Sequence, residues 1–197
     1  MNNPNTKLLD LIHVEKGVIP TDLCDDVVKD VETRPWKSHE WYTPSTDSNY
    51  SEKTKEFGIQ FSTLELQKKL TSFVIESGKK YSNKYAYQHP SCVERTGQTI
   101  TQFTSVRFNR YTPGQIMRQH HDHIHSIFDG KVKGVPVLSF IMNFNDDYEG
   151  ADLFFWEDTV VPLGKGDIIM FPSNFLFPHG VTEATEGVRY SGSAWAW

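Results

Sequence analysis

From about Thr99 onward the chain is a succession of short apolar runs cut by turns, and this punctuation constrains the fold more than any other feature. Residues 100–111, 135–144, 151–156, 168–171 and 188–197 are rich in β-branched and aromatic side chains and read as strands. The segments between them carry turn formers: Asn145-Asp146-Asp147, Glu149-Gly150, Gly164-Lys165-Gly166-Asp167 and Glu186-Gly187. Many short strands at close spacing imply a sandwich or barrel, although periodicity alone does not choose between topologies.

The first half has a different period. Residues 8–19 read as an extended segment interrupted by Gly17. Thr21 is placed to cap a helix, with Pro20 before it and Asp22 in its first turn. Leu23, Cys24, Val27, Val28 and Val31 then recur at helical spacing, and Pro35 bounds the helix. Cys24 reads as a small buried core residue. A second helix opens at Ser62, with Glu65 completing a capping box. Leu66, Leu70, Phe73, Val74, Ser77, Tyr81 and Tyr85 follow one face of it, a stripe suited to packing on a sheet. Between the helices, residues 36–57 read as a long loop with room for short strands. Trp36, Trp41, Tyr42 and Tyr50 in that loop either pin it to the core or line a groove.

The expected class is therefore α+β. At 197 residues, without a linker or internal repeat, a single domain is expected over 1–197, with helical support and loops in 1–98 and the strand-rich core in 99–197. Hydrophobic content of 38% and charged content of 23% fit a soluble globular chain. The net charge of -5 weighs against a nucleic-acid partner, whose phosphates need a basic face. No apolar run approaches the ~20 residues of a membrane span. Two cysteines, Cys24 and Cys92, do not make a disulfide scaffold. The opening stretch MNNPNTKLLDLIHVE lacks the basic-then-apolar order of a secretory signal, so a reducing cytoplasm is the expected location.

The chemistry concentrates in the strand-rich half. Side chains at i and i+2 of a strand share a face, so His120 and Asp122 project together while His121 and His123 point away. Two ligands on one strand do not close a metal site, and His179 is the best third. Two histidines and a carboxylate on one side of a metal leave open positions, the facial arrangement of non-haem Fe(II) oxygenases. The run HHDHIH weakens the signal, because His123 and His125 offer competing ligands. Arg189 follows His179 by ten residues, in a strand where Ser191 shares its face. That pair is suited to clamp a carboxylate through charge-assisted hydrogen bonds.

Taken together, these residues resemble the prolyl 4-hydroxylase-like branch of the 2-oxoglutarate/Fe(II) dioxygenases. The resemblance rests on Tyr111-x-Pro113-Gly114, His120-His121-Asp122, Glu149-Gly150-Ala151, Pro162 to Asp167 running into Phe171, then His179 and Arg189. It covers residues 107–197, about half the chain; the stretch VIPTDLCDDVV fits the family's N-terminal helices less specifically. It implies a double-stranded β-helix, or jelly roll, with N-terminal helices packed on one sheet. His120, Asp122 and His179 would hold Fe(II), and Arg189 would pair with the distal carboxylate of 2-oxoglutarate. Tyr111 would reach the same carboxylate, Val181 would pack on the co-substrate, and Trp195 would stand near the mouth. Ser191 as a second carboxylate contact comes from the strand geometry, not from the family.

The implied reaction takes O2 and 2-oxoglutarate to succinate and CO2 while a substrate C–H bond is hydroxylated, with ascorbate a candidate reductant. The implied substrate is a peptidyl proline, or else another protein residue or a small metabolite. Collagen-type relatives carry lysine where Arg189 stands, which leaves substrate identity open. A Zn(II) hydrolase and a jelly roll that has lost turnover are the rival readings. The segment 124–134, with Gly130 and Gly134 as hinges, and the loop 36–57 are the candidate lids.

Overall fold

The computed structural model describes residues 8–43, 48–51, 55–61, 65–85, 100, 102–122 and 135–197. Among these, seven strands form one large antiparallel sheet. They are β1 (His13–Glu15), β2 (Lys37–Ser38), β5 (Gly58–Phe61), β6 (Arg107–Tyr111), β8 (Leu138–Asn143), β12 (Ile168–Pro172) and β15 (Arg189–Ala196). Their spatial order is β1-β12-β8-β15-β6-β5-β2. Facing it is a four-stranded sheet in the order β11-β10-β13-β7, built from β7 (Met117–His120), β10 (Leu153–Phe155), β11 (Thr159–Val160) and β13 (His179–Val181). Two two-stranded sheets complete it: β9 (Tyr148–Gly150) with β14 (Ala184–Gly187), and β3 (Trp41–Thr43) with β4 (Ser48–Tyr50). This is the double-stranded β-helix that the resemblance implied.

The two helices, α1 (Thr21–Val31) and α2 (Glu65–Tyr85), cover the outer face of the large sheet. Leu70, Val74 and Tyr81 of the α2 stripe meet Phe108, Phe140 and Met142 from the strands, with Cys24, Val27 and Val31 of α1 in the same cluster. A second core lies between the two sheets, where Phe57, Phe155, Phe171, Phe177 and Ile169 are all about fully buried. Burying such side chains is the main driving force for closing the sheets on each other.

Several local expectations change. Thr21 is the first helical residue and Pro20 holds the cap position, without a side-chain cap; proline there loses no hydrogen bond, since the first N–H groups are unpaired anyway. The helix ends at Val31, before Pro35 is reached. Within 8–19 only His13–Glu15 is a strand, and Gly17 turns the chain at φ +60°. The strand expected over 100–111 is confined to Arg107–Tyr111; before it, Gln102 exchanges backbone hydrogen bonds with Trp197, Thr104 N donates to the Trp195 carbonyl, and Phe103 bridges Ala196, without extending the strand. The described part of residues 36–57 holds three short strands. Ser62, Cys92, His123, His125 and the candidate lid 124–134 lie outside the described residues.

Asp167 ties the N-terminal segment to the jelly roll. Its carboxylate accepts from Lys16 Nζ at 2.7 Å, Gly17 N at 2.9 Å and Gly164 N at 2.7 Å. A side chain at Gly166, whose φ is +84°, would collide with the Ile19 carbonyl oxygen. The Gly164–Asp167 turn thereby holds β1 against β12.

Candidate metal centre

β13 pairs with β7 so that His179 stands directly opposite His120, and their rings are 4.5 Å apart. β7 ends at His120; Asp122 lies in a bend beyond it, and His121 between them is exposed. The expectation of one continuous strand through Asp122 is thus corrected, yet the bend still delivers the carboxylate. Asp122 Oδ1 is 3.4 Å from His120 Nε2, and Oδ2 is 3.7 Å from His179 Nε2. The three ligand atoms lie within 4.8 Å of one another. At metal–ligand distances of about 2 Å, neighbouring ligands sit about 3 Å apart, so small movements close the set around one ion.

Hydrogen bonds on the far side of each ring fix its tautomer. His120 Nδ1 is 2.9 Å from the Arg118 carbonyl, and His179 Nδ1 is 3.1 Å from the Phe177 carbonyl. Each Nδ1 donates its proton there, which leaves the Nε2 lone pair facing Asp122. Burial lowers the His179 pKa to about 4, partly offset by Asp122, so the ring is neutral and ready to ligate at neutral pH. Burial pushes the Asp122 carboxyl up; where the facing His179 and His120 rings are protonated their charge, with the Ser139 hydroxyl, holds it well below the usual carboxylate range. Ser139 Oγ donates to Asp122 Oδ2 at 2.6 Å and lies 2.8 Å from Ser173 Oγ. Two imidazoles and one carboxylate, all oriented from behind, fit a divalent transition metal.

The triad opens into a narrow cavity of about 20 Å³ between the sheets. Tyr111, Val181, Arg189, Ser191 and Trp195 all line it, so the residues expected to bind the co-substrate or stand at its mouth reach one space with the triad. Arg189 is 1% exposed. Its Nε donates to Asn143 Oδ1 and its Nη1 to the Ala151 carbonyl, each at 2.9 Å. No carboxylate forms an ion pair with it among the described residues. A buried guanidinium held only by neutral acceptors keeps its charge available for a bound anion. Tyr111 packs beside it, with the guanidinium carbon 5.6 Å from the ring, and its hydroxyl lies 3.8 Å from Met117 Sδ. Burial raises that phenol to about 12, so it remains a neutral donor. The Ser191 hydroxyl is 3.5 Å from Asn109 Nδ2.

Sequence reasoning missed Asn143, Ser139, Arg107 and Asn109. The last two were legible in principle: Arg107, Asn109 and Tyr111 alternate along β6, and alternation in a jelly-roll strand puts all three inside. Nothing local marks Ser139 or Asn143, because their roles depend on which strand lies beside them. Of the loop aromatics, Trp41 stands edge-on to His120 at 5.4 Å, while Trp36 packs against the outer core near Tyr190. The side chains of Tyr42 and Tyr50 lie outside the described part.

Comparison with known proteins agrees with this geometry. Residues 106–197 match the family model described as the 2OG-Fe(II) oxygenase superfamily. A PKHD-type hydroxylase of Idiomarina loihiensis is 32% identical over 100 residues, covering 48% of this chain and 42% of that protein. Prolyl 4-hydroxylase 1 of Arabidopsis thaliana is 27% identical over 111 residues, 46% of this chain and 39% of that protein. The matched regions thus span about two-fifths of the length of these curated relatives. Among solved structures, a Pseudomonas putida prolyl-4-hydroxylase superposes with a TM-score of 0.64 at 17% identity, over 97% of each chain. A Trichoplax adhaerens prolyl hydroxylase, bound to a hypoxia inducible factor peptide fragment, gives 0.69 at 17%, over 98% of this chain and 86% of that one. These two share the fold.

Proposed function

We propose that this chain, whose residues 106–197 match the 2OG-Fe(II) oxygenase superfamily model, is an Fe(II)- and 2-oxoglutarate-dependent dioxygenase that hydroxylates a C–H bond of its substrate. One observation carries the reading. The His120–Asp122–His179 triad and the buried, carboxylate-free Arg189 open into the same cavity. The iron and 2-oxoglutarate, once bound, supply the oxidising chemistry, with O2 consumed and succinate and CO2 released.

The chain's own residues bind and orient. His120 and His179 present Nε2, Asp122 presents a charged oxygen, and the Ser139 hydroxyl steadies it. Arg189, fixed by Asn143 and Ala151, takes the distal carboxylate, with Tyr111 and Ser191 beside it as donors. Val181 and Leu153 give the co-substrate an apolar wall. Trp195 stands farther along β15, where substrate enters. A zinc hydrolase would leave Arg189 without a partner, and the oxygenase gives it one. Peptide or protein substrates, and a prolyl residue as the target, are supported by the named prolyl hydroxylases. No helix among the described residues is long and apolar enough to cross a membrane. Ascorbate as reductant and a cytoplasmic setting belong to the same proposal.

The test is anaerobic visible absorption as Fe(II) and then 2-oxoglutarate are added to metal-free protein. Wild type should develop a charge-transfer band. His179→Ala should lose it, and Arg189→Ala should need at least ten-fold more 2-oxoglutarate. A folded, iron-loaded wild type without a band would sink the oxygenase reading.

A further inference from the structure

We infer that Arg107, together with the Trp195 indole, forms an anion-recognition site for the substrate itself, so that the substrate carries a carboxylate close to the carbon that is hydroxylated. The inference rests on the oxygenase reading and names the substrate class for that site.

The cavity holds two arginines where the co-substrate accounts for one. Arg107 lies on β6 and Arg189 on β15, and the register sets Tyr111 opposite Arg189 and Ser193 opposite Arg107. The two positions are thus four residues apart along paired strands, roughly 13 Å at the usual strand rise. Arg189 is the enclosed one at the Tyr111 end; Arg107 is half-buried at the Trp195 end. Both are anchored in the same manner. Arg107 Nε donates to Asn109 Oδ1 at 3.1 Å, and Asn109 Nδ2 donates to Ser193 Oγ at 2.9 Å. That leaves the terminal nitrogens of Arg107 without a hydrogen-bond partner among the described residues. Its guanidinium lies over the Trp195 ring at 5.1 Å and near the Phe57 ring at 5.9 Å, which hold it flat and rigid.

The charges do not balance without a further anion. Asp122 offsets one arginine, and the two carboxylates of 2-oxoglutarate offset the two charges of Fe(II). One positive charge remains. Glu56, buried nearby, does not supply the balance, because it faces Arg118 at 3.5 Å. An uncompensated cation in a closed site is costly unless a ligand neutralises it. A second orphan stands beside it: the Trp195 Nε1–H is buried and has no acceptor among the described residues. A buried donor without a partner in a native fold points to a missing ligand atom. One substrate carboxylate would satisfy Arg107 by charge and Trp195 by hydrogen bond.

That carboxylate has two sources, the free terminus of an amino acid or an acidic side chain next to the target residue in a peptide. Matched pairs separate them: L-proline against L-prolinamide, and blocked peptides containing Asp-Pro against Asn-Pro. Each is titrated anaerobically into the Fe(II)/2-oxoglutarate complex, reading the shift of the charge-transfer band, for wild type, Arg107→Gln and Arg107→Lys. In at least one pair, wild type should bind the acidic member ten-fold or more tighter than the neutral one. Arg107→Gln should erase that preference and Arg107→Lys should keep part of it. The 2-oxoglutarate concentration needed to form the band should stay as in wild type for Arg107→Gln, unlike for Arg189→Ala. No acidic preference in either pair, or a preference surviving Arg107→Gln, overturns the inference while the oxygenase reading stands. A raised 2-oxoglutarate requirement in Arg107→Gln also overturns it, by assigning the residue to the co-substrate. Failure of the band in wild type would instead remove the reading on which it rests.

Discussion

A metal ligand is only as good as what holds it, and here the supports are single atoms. Asp122 keeps its orientation through the Ser139 hydroxyl, itself 1% exposed and bridged to Ser173. Ser139→Ala removes one bond from a buried carboxylate and strands the Ser173 hydroxyl. Losses of this kind behind metal ligands cost ten- to hundred-fold in affinity. The expected result is about ten-fold weaker Fe(II) binding in an anaerobic titration, with little change in the thermal midpoint. Equal affinity would show that the bend at Asp122 holds without the serine. The sequence exposes the ligands but not this support. His120, Asp122 and His179 carry their chemistry in their residue types. Ser139 looks like any other serine in an apolar strand until β8 is seen to run behind the bend. Asn143 is hidden for the same reason, since its amide matters only because Arg189 lies on the neighbouring strand.

At the scale of elements, the two histidines meet because β13 and β7 are neighbours, and that pairing depends on Gly180. A methyl group there would fall 2.8 Å from the Met117 carbonyl oxygen and 2.7 Å from Phe154 Cζ. The phenyl ring can turn aside, but the carbonyl belongs to β7 itself, so β13 has to move outward. Gly180→Ala should therefore cost about 1–3 kcal/mol, the usual range for overpacking. It should also weaken iron binding by pulling His179 away from His120. Urea unfolding and an Fe(II) titration on the same variant check both; lost stability with unchanged iron affinity would mean that the pairing absorbs the strain elsewhere. Strand existence was readable from β-branched runs, and the α2 stripe from its spacing, because both patterns are local. Strand limits were not. Only Arg107–Tyr111 of the 100–111 run finds continuous partners, β5 on one side and β15 on the other. The strand at His13–Glu15 exists because β12 offers it an edge and Asp167 holds the following turn.

The whole molecule divides its work between two cores on either side of the large sheet. The outer core, between helices and sheet, includes Leu70 of α2; the inner core, between sheets, includes Phe155 of β10. Both side chains are fully buried, so truncating either should be costly, about 2–5 kcal/mol for Leu70→Ala and about 3–5 kcal/mol for Phe155→Ala. The consequences for the site differ. Phe155 stands edge-on to Phe171 at 4.8 Å and 5.7 Å from the His179 ring, so its loss leaves a void behind a metal ligand. The hydrophobic cluster that contains Leu70 shares one described residue, Phe140, with the cavity lining. Leu70→Ala should thus lower the urea midpoint yet form the charge-transfer band at wild-type 2-oxoglutarate and iron concentrations. Phe155→Ala should lower both. If the two variants lost the band together at temperatures where each is still folded, the helical layer would be part of the site and not only its scaffold. The opposite result would explain why the first half of the chain carries a general helix signal and the second half the specific motif. The helices need only present an apolar face, whereas the inner strands must place individual atoms.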